Sequence, residues 1–309
     1  MTKTDTIGFI GLGVMGGPMC RNMALKHDAE VLAFDLSDAA LTAVAEAGAR
    51  RVPSVEALAE QADVIFLSLP GGPQVQAVSA AIAAARGRCS AIVDLSTTPV
   101  ETARAVAAEL APLGIAFADA PVARTRQAAQ EGKLAIMVGA SEALFERIHP
   151  LLKYIATDIT HGGDVGAGQV LKLVNNMLVF ANTVALAEMM VLGEKSGVAP
   201  EVLLDAVSKG SGDSFVLRNH GMKAMLPRAF PDKAFSPEYV LKDISYVFEL
   251  AEQSGVSLPA AGTARSYYET ALHHGLSGRY FPGVIELVEK GVMETPGPRA
   301  GEEGKGEAA

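Results

Sequence analysis

Lys172 and Asn176 stand four residues apart in the segment Gly166-Ala167-Gly168-Gln169-Val170-Leu171-Lys172-Leu173-Val174-Asn175-Asn176. The apolar spacing around them is helical, and residues i and i+4 of a helix share one face. An ammonium and an amide on one face can hydrogen-bond the same small substrate. Oxidation of an alcohol needs a base for the hydroxyl proton, and the reverse reaction needs an acid at the carbonyl oxygen. A lysine titrates ordinarily near ~10.4, and burial or a neighbouring cation lowers that value. The plain alternative is a solvated lysine near a helix end. The adjoining Gly166-x-Gly168, the apolar flanks and the paired Asn175 and Asn176 favour the chemical role.

A second group lies at the other end of the chain. Gly11-Leu12-Gly13-Val14-Met15-Gly16 follows the apolar run Ile7–Ile10 and opens a helical segment carrying Pro18. In a G-x-G-x-x-G turn between strand and helix, Gly11 allows the tight turn. Gly13 lets the backbone approach a pyrophosphate, and Gly16 lets helix and strand pack closely. The free N–H groups of the helix start then face the phosphates. The next apolar run, Val31–Phe34, ends in Asp35, at the distance expected for a carboxylate that accepts hydrogen bonds from ribose hydroxyls. Such a carboxylate repels a 2′-phosphate, and no arginine follows in Leu36-Ser37-Asp38, so the expected cofactor is NAD, not NADP. Leu69-Pro70 and Ser96-Thr97 end two further runs, and ligands of open α/β sheets sit beyond the carboxyl ends of the strands. Thr98-Pro99-Val100-Glu101 reads as a helix start with Thr98 as N-cap and Glu101 completing a capping box. That leaves Ser96 and Thr97 to face a ligand.

The elements that must position these groups follow from the pattern. Ile7–Ile10, Val31–Phe34, Val64–Leu69, Ala91–Leu95 and Leu134–Val138 are short apolar runs, as expected of strands covered on both faces. Asp119–Val122 and Asp158–His161 extend the same sheet. Helical segments lie between the runs, with Ser54 and Ser141 as N-caps. This alternation predicts an α/β, doubly wound, mostly parallel sheet over residues 1–163. From 164 to 292 the periodicity is helical and βαβ alternation stops, so an all-helical domain is expected. Residues 293–309 are rich in Gly, Pro and Glu and are expected to be a disordered tail.

The whole chain has 309 residues, 49% apolar and 20% charged, with a formal net charge of −9. With no basic block, nucleic acid and anionic membrane are poor partners. A small anionic substrate needs only one local cationic pocket. The apolar run Met177–Gly193 contains Asn182, Thr183 and Glu188, and reads as a buried helix, not a membrane span. Cys20 and Cys89 form neither a disulfide framework nor a zinc site, and the six histidines show no metal-binding spacing. No metal is expected. A cytoplasmic setting fits, because no leader pattern stands at the start.

Gly8-Phe9-Ile10-Gly11-Leu12-Gly13-Val14-Met15-Gly16-Gly17-Pro18-Met19 resembles the amino-terminal signature of the β-hydroxyacid dehydrogenases, the family of 3-hydroxyisobutyrate dehydrogenase. Asp94-Leu95-Ser96-Thr97 is similar to its nicotinamide-side motif, Gly166–Asn176 to its catalytic motif, and Leu241-Lys242-Asp243 to its carboxy-terminal active-site motif. The resemblance implies a Rossmann-like domain and a helical domain joined by a long helix, in dimers or tetramers. It implies NAD-dependent hydride transfer on a short β-hydroxy acid, with Lys172 as acid/base and Asn176 positioning substrate. Lys242 is then a second cation at the cofactor, or a lysine paired with Asp243.

The family's substrate loop, Asp-Ala-Pro-Val-Ser-Gly-Gly followed by Gly-x-Leu, is altered. Asp119-Ala120-Pro121-Val122 and Gly132-x-Leu134 are present, but Ala123-Arg124-Thr125 replaces Ser-Gly-Gly. Ala123 lacks the hydroxyl. Arg124, with Thr125, is expected to grip an anionic group of the substrate, which also meets Ser96, Val122, Asn175 and Phe235, the plain alternative being that Arg124 is a surface residue or a salt-bridge partner. Arg126 is a weaker candidate. The rival readings are an NADPH-dependent reductase of a small aldehyde acid, against which Asp35 argues, and a regulatory NAD-binding protein without turnover. The presence of both Lys172 and Asn176 argues against the second.

Overall fold

The structure is a computed structural model that describes residues 4–232 and 234–293. The expected tail, Met293 apart, lies outside the described residues. The chain forms two compact units, Met1–Asn176 with Ser245–Val256, and Met177–Ile244 with Ser257–Ala309.

The first unit is built on one sheet, whose strands are β1 (Ile7–Ile10), β2 (Val31–Phe34), β3 (Arg50–Arg51), β4 (Val64–Leu67), β5 (Ala91–Asp94), β6 (Ala116–Asp119), β7 (Val122–Ala123), β8 (Leu134–Gly139) and β9 (Ala156–Gly163). Their order is β3-β2-β1-β4-β5-β6-β8-β7, with β9 on β8. The pairs from β3 to β6 are parallel, whereas β8 runs antiparallel to β6 and β7. β1, β4 and β5 are buried along their whole length, as apolar runs covered on both faces must be. Successive side chains point to opposite faces. Phe9, Phe66 and Val93 therefore enter one core, and Ile10, Ile65, Leu67 and Ile92 enter the other.

The register matters most for function. Ile10 pairs with both Phe34 and Leu67, Leu67 with Asp94, and Asp94 with Asp119. The five central strands thus end level. Gly11, Asp35, Ser68, Leu95 and Ala120 leave the sheet along one edge.

The structure corrects the sequence reading in three places. The run Asp119–Val122 is not one strand: β6 ends at Asp119, and the chain turns through Ala120-Pro121 before β7 doubles back along β8. β3 was not expected, because the exposed pair Arg50-Arg51 carries no apolar pattern. Thr98 does not cap the helix Val100–Leu110, whose start has Pro99 and no side-chain cap. Ser54 and Ser141 do cap, accepting from the N–H groups of Ala57 and Leu144.

The sheet ends at Gly163, and no further strand follows among the described residues apart from a lone bridge between Asp232 and Arg279. The units themselves divide between Asn176 and Met177, inside the 29-residue helix Ala167–Lys195. That helix is long and apolar enough to cross a membrane by length and composition. The burial read from the sequence holds on part of its surface: Phe180, Val184, Ala187 and Met190 are buried, while Leu178, Met189 and Leu192 are exposed. The second unit packs Met190, Leu204, Leu217, Met225, Phe230 and Ile285 into one core. It includes a π-helical stretch, Leu217–Met225, and an aromatic cluster in which Phe180 stacks on Phe235 with ring centres 6.1 Å apart.

Candidate active site

The glycine loop has the geometry of a phosphate cradle. Gly11 has φ +94°, and a Cβ there would strike the backbone oxygen of Ser68 at the end of β4. A Cβ on Gly16 would strike the carbonyl of Gly11. Gly13 is different: it is exposed, and nothing lies within 4 Å of where its Cβ would be. The first and third glycines are therefore fixed by the protein's own packing, and the second leaves space for a ligand. The helix Gly16–Lys26 that follows has no side-chain cap. Asp35 anchors the loop, accepting the Leu12 N–H at 2.6 Å and the Ser37 N–H at 2.7 Å. These residues fit a dinucleotide: Leu12 to Gly16 would meet its pyrophosphate and Asp35 the adjoining ribose.

Behind this loop lies a buried acid network. Asp94 and Asp119 end neighbouring strands, and neither is exposed. Asp94 accepts the Ser96 N–H at 2.9 Å and the Thr98 hydroxyl at 3.4 Å. Asp119 accepts the N–H groups of Gly166 and Gln169, both at 2.7 Å. The Gln169 amide donates to the Ser96 carbonyl at 2.9 Å and accepts the Thr98 N–H at 3.1 Å. Burial pushes Asp94 up to about 7, against the pull of its hydrogen bonds from Ser96. Burial likewise pushes Asp119 up to about 6, against the pull of its backbone N–H partners. Sequence reasoning quoted both aspartates only as motif letters and gave Gln169 no role. A carboxylate closing a wholly buried strand was the available signal for Asp94. Asp119 and Gln169 act across 47 to 73 residues, which no local pattern reveals.

Lys172 and Asn176 lie on the helix that this network starts, and only 9% and 8% of their surfaces are exposed. The Asn175 amide donates to the Asn176 amide oxygen at 3.1 Å. Ser96 is less free than its sequence context suggested. Thr98 does not cap the next helix, and the buried Ser96 hydroxyl accepts the Leu69 N–H at 2.8 Å. Thr97 is half-buried and Pro70 exposed.

In the altered loop, the Arg124 guanidinium is held within the protein, as the salt-bridge reading has it. It donates to the Lys133 carbonyl at 2.8 Å and the Thr157 hydroxyl at 2.9 Å, and pairs with Asp158 at 2.7 Å. Its backbone has φ +87°, the left-handed region, at a position where the resembling family has glycine. Thr125 caps the helix Arg126–Glu131 by accepting the Ala128 N–H. Val122 and Ala123 form β7 and are half-buried. Arg126 lines a cavity of about 580 Å³ together with Gly13, Val14, Arg21, Ala43 and Gln130.

In the second unit, Lys242 pairs with Asp243 at 3.3 Å. Phe235 packs against Phe180, Tyr239 and Phe281, with 39% of its surface exposed. Among the described residues, no group of three His, Cys, Asp or Glu side chains is placed to hold a metal.

A level-ended parallel sheet, an open glycine cradle, a ribose-side carboxylate and a buried lysine–asparagine pair define a dinucleotide-binding oxidoreductase. The chain belongs to the β-hydroxyacid dehydrogenases, and comparison with known proteins shows it. Residues 6–163 match the family described as the NAD binding domain of 6-phosphogluconate dehydrogenase. Residues 166–288 match that described as NAD-binding of NADP-dependent 3-hydroxyisobutyrate dehydrogenase. The chain is 38% identical to 2-(hydroxymethyl)glutarate dehydrogenase of Eubacterium barkeri, over 94% of this chain and 97% of that one. It is 33% identical to 2-hydroxy-3-oxopropionate reductase of Escherichia coli K12, over 92% and 97%. A solved structure of Mycobacterium tuberculosis 3-hydroxyisobutyrate dehydrogenase with L-serine superposes with a TM-score of 0.85 at 30% identity, covering 93% and 99%.

Three predictions follow from this geometry. Gly13→Ala should leave the melting temperature almost unchanged while weakening NADH binding at least tenfold, as read by cofactor fluorescence. Gly16→Ala should unfold the first unit, and equal behaviour of the two variants would contradict the cradle. Arg124→Gly should be more stable than Arg124→Ala by about 1 kcal/mol in urea unfolding, because both lose the guanidinium and only alanine resists a left-handed backbone. Asp94 holds in the folded state a proton that the unfolded chain, with the ordinary value of 3.8, releases earlier. The folded form therefore loses stability as pH rises from about 4 to about 7. The difference in stability between Asp94→Asn and the parent should shift in favour of the variant across that window. A pH-independent difference would contradict the buried acid.

Proposed function

We propose that the protein oxidises a short β-hydroxy acid with NAD, Lys172 exchanging the hydroxyl proton and Asn176 orienting the substrate. The observation that carries this reading is the buried pair Lys172 and Asn176, one turn apart on a helix that starts against the sheet's carboxyl edge. Bound NAD would supply the acceptor for the hydride that leaves the carbinol carbon. Lys172, as the neutral amine, takes the hydroxyl proton as the C–H bond gives up its hydride, and in the reverse direction, as the ammonium, returns it to the carbonyl oxygen. Asn176 offers amide groups on the same helical face.

Asp35 supports NAD over NADP, because a carboxylate already holding the Leu12 and Ser37 N–H groups repels a further phosphate. The same point weighs against an NADPH-dependent reductase of a small aldehyde acid. The substrate differs from 3-hydroxyisobutyrate in its contacts with the loop, since Ala123 supplies no hydroxyl. The likeness to 2-(hydroxymethyl)glutarate dehydrogenase puts β-hydroxy acids with a second carboxylate first among substrates to try. With the Arg124 guanidinium held by Asp158, that ion pair would have to open for Arg124 to meet a substrate carboxylate. Assembly as a homodimer or homotetramer in the cytoplasm belongs to the same proposal.

The test is a screen of hydroxy acids with NAD and NADP, followed by absorbance of the reduced cofactor. NAD should be preferred. On the best substrate, Lys172→Ala should lower kcat by about a hundredfold or more, the usual worth of a general acid–base group. NADH binding should change less than twofold. Near-normal turnover of Lys172→Ala would end this mechanism, and preference for NADP would end the reading of Asp35.

A further inference from the structure

The first turn of the helix carrying Lys172 is held by groups from far away in the chain. A helix cap ordinarily comes from the residue just before the first turn. Here the acceptor is Asp119, at the end of β6, with one carboxylate oxygen on the Gly166 N–H and the other on the Gln169 N–H, both at 2.7 Å. The helix start is therefore registered to the sheet itself. Gly168 sets how close the two come: a Cβ there would lie 2.5 Å from the carbonyl oxygens of both Asp119 and Met137. Any larger residue at 168 would lift the helix off the strand ends.

Gln169 fixes the remaining freedom. A helix capped at its end can still rotate about its axis. Both ends of the Gln169 amide engage the turn after β5, through the Ser96 carbonyl and the Thr98 N–H. That turn is in its own right held by Asp94 through the Ser96 N–H. Lys172 follows Gln169 by three residues, almost one turn, so it lies on nearly the same face. Asp119 and Gln169 are fully buried and cannot reach a ligand.

We infer that Asp119 and Gln169 are positioning residues for proton transfer, setting the height and rotation of Lys172 against the Ser96–Thr98 turn. This inference rests on the reading of Lys172 as the proton-transfer group. It assigns the buried carboxylate and amide a part in turnover, although neither meets substrate or cofactor.

A double-mutant cycle tests it, using Asp119→Ala, Asp119→Asn and Gln169→Leu, each alone and combined with Lys172→Ala. Asp119→Ala should lower kcat at least tenfold while the NADH dissociation constant stays within twofold. Asp119→Asn, still an N-cap former, should keep more of the rate. In the Lys172→Ala background the same changes should lower the residual rate less than twofold, because the group they position is gone. Hydrogen exchange at amides 168–172 should speed up in Asp119→Ala, with β1 unaffected. If Asp119→Ala does not fold, Gln169→Leu carries the same cycle. An equal fold-loss in both backgrounds, or unchanged exchange at 168–172, would overturn the inference. So would an equal kcat loss in Ile82→Ala, a core variant remote from this network with a matched melting temperature. Full activity of Lys172→Ala would sink the proton-transfer reading. A large Lys172→Ala effect with additive Asp119 losses would sink the positioning role alone.

Discussion

A carboxylate removed from water is unfavourable unless other donors replace its hydration. Asp119 meets this condition by taking two backbone N–H groups, those of Gly166 and Gln169 at the start of the helix Ala167–Lys195, 47 and 50 residues further on. The helix start gains an acceptor for N–H groups that have none within the helix, and its positive end gains a nearby negative charge. Strand end and helix start thus satisfy one another. The level ends of β1, β4, β5 and β6 then place the glycine loop, the turn after β5 and the first turn of the Lys172 helix along one edge.

Two kinds of glycine share the work at that edge. Gly11, Gly16 and Gly168 are required by the protein's own backbone, because a side chain at any of them would strike a carbonyl oxygen. Gly13 meets nothing. A motif read as letters treats the glycines alike, and the packing separates those that shape the fold from the one that leaves room for a ligand.

Much of this was legible in the sequence, for stated reasons. Uninterrupted apolar runs marked β1, β2, β4 and β5 because those strands are buried on both faces. The glycine spacing and Asp35 marked the cofactor side because both act within one βαβ unit. What the sequence did not show depended on contacts distant along the chain. Thr98 has the local pattern of a cap, yet its hydroxyl and N–H are taken by Asp94 and Gln169. Ser96 looked free, yet its hydroxyl serves the Leu69 N–H. Arg124 looked like an anion binder, because the sequence does not show that β9 brings Thr157 and Asp158 beside it. The split of Asp119–Val122 into β6 and β7 also lay beyond periodicity, since both pieces are too short to show an alternation.

The left-handed backbone at Arg124 has a consequence in the language of the gene. Every arginine codon lies a single base change from a glycine codon, and glycine is the residue that this conformation suits. The strained residue therefore sits beside an easily reached alternative that would relax the turn. What that exchange would surrender is the guanidinium tie from the turn to Lys133, Thr157 and Asp158. The two residues are thus alternative genetic solutions for one loop: glycine makes the turn without strain and leaves it untethered, whereas arginine tolerates the strain and moors the turn to the sheet.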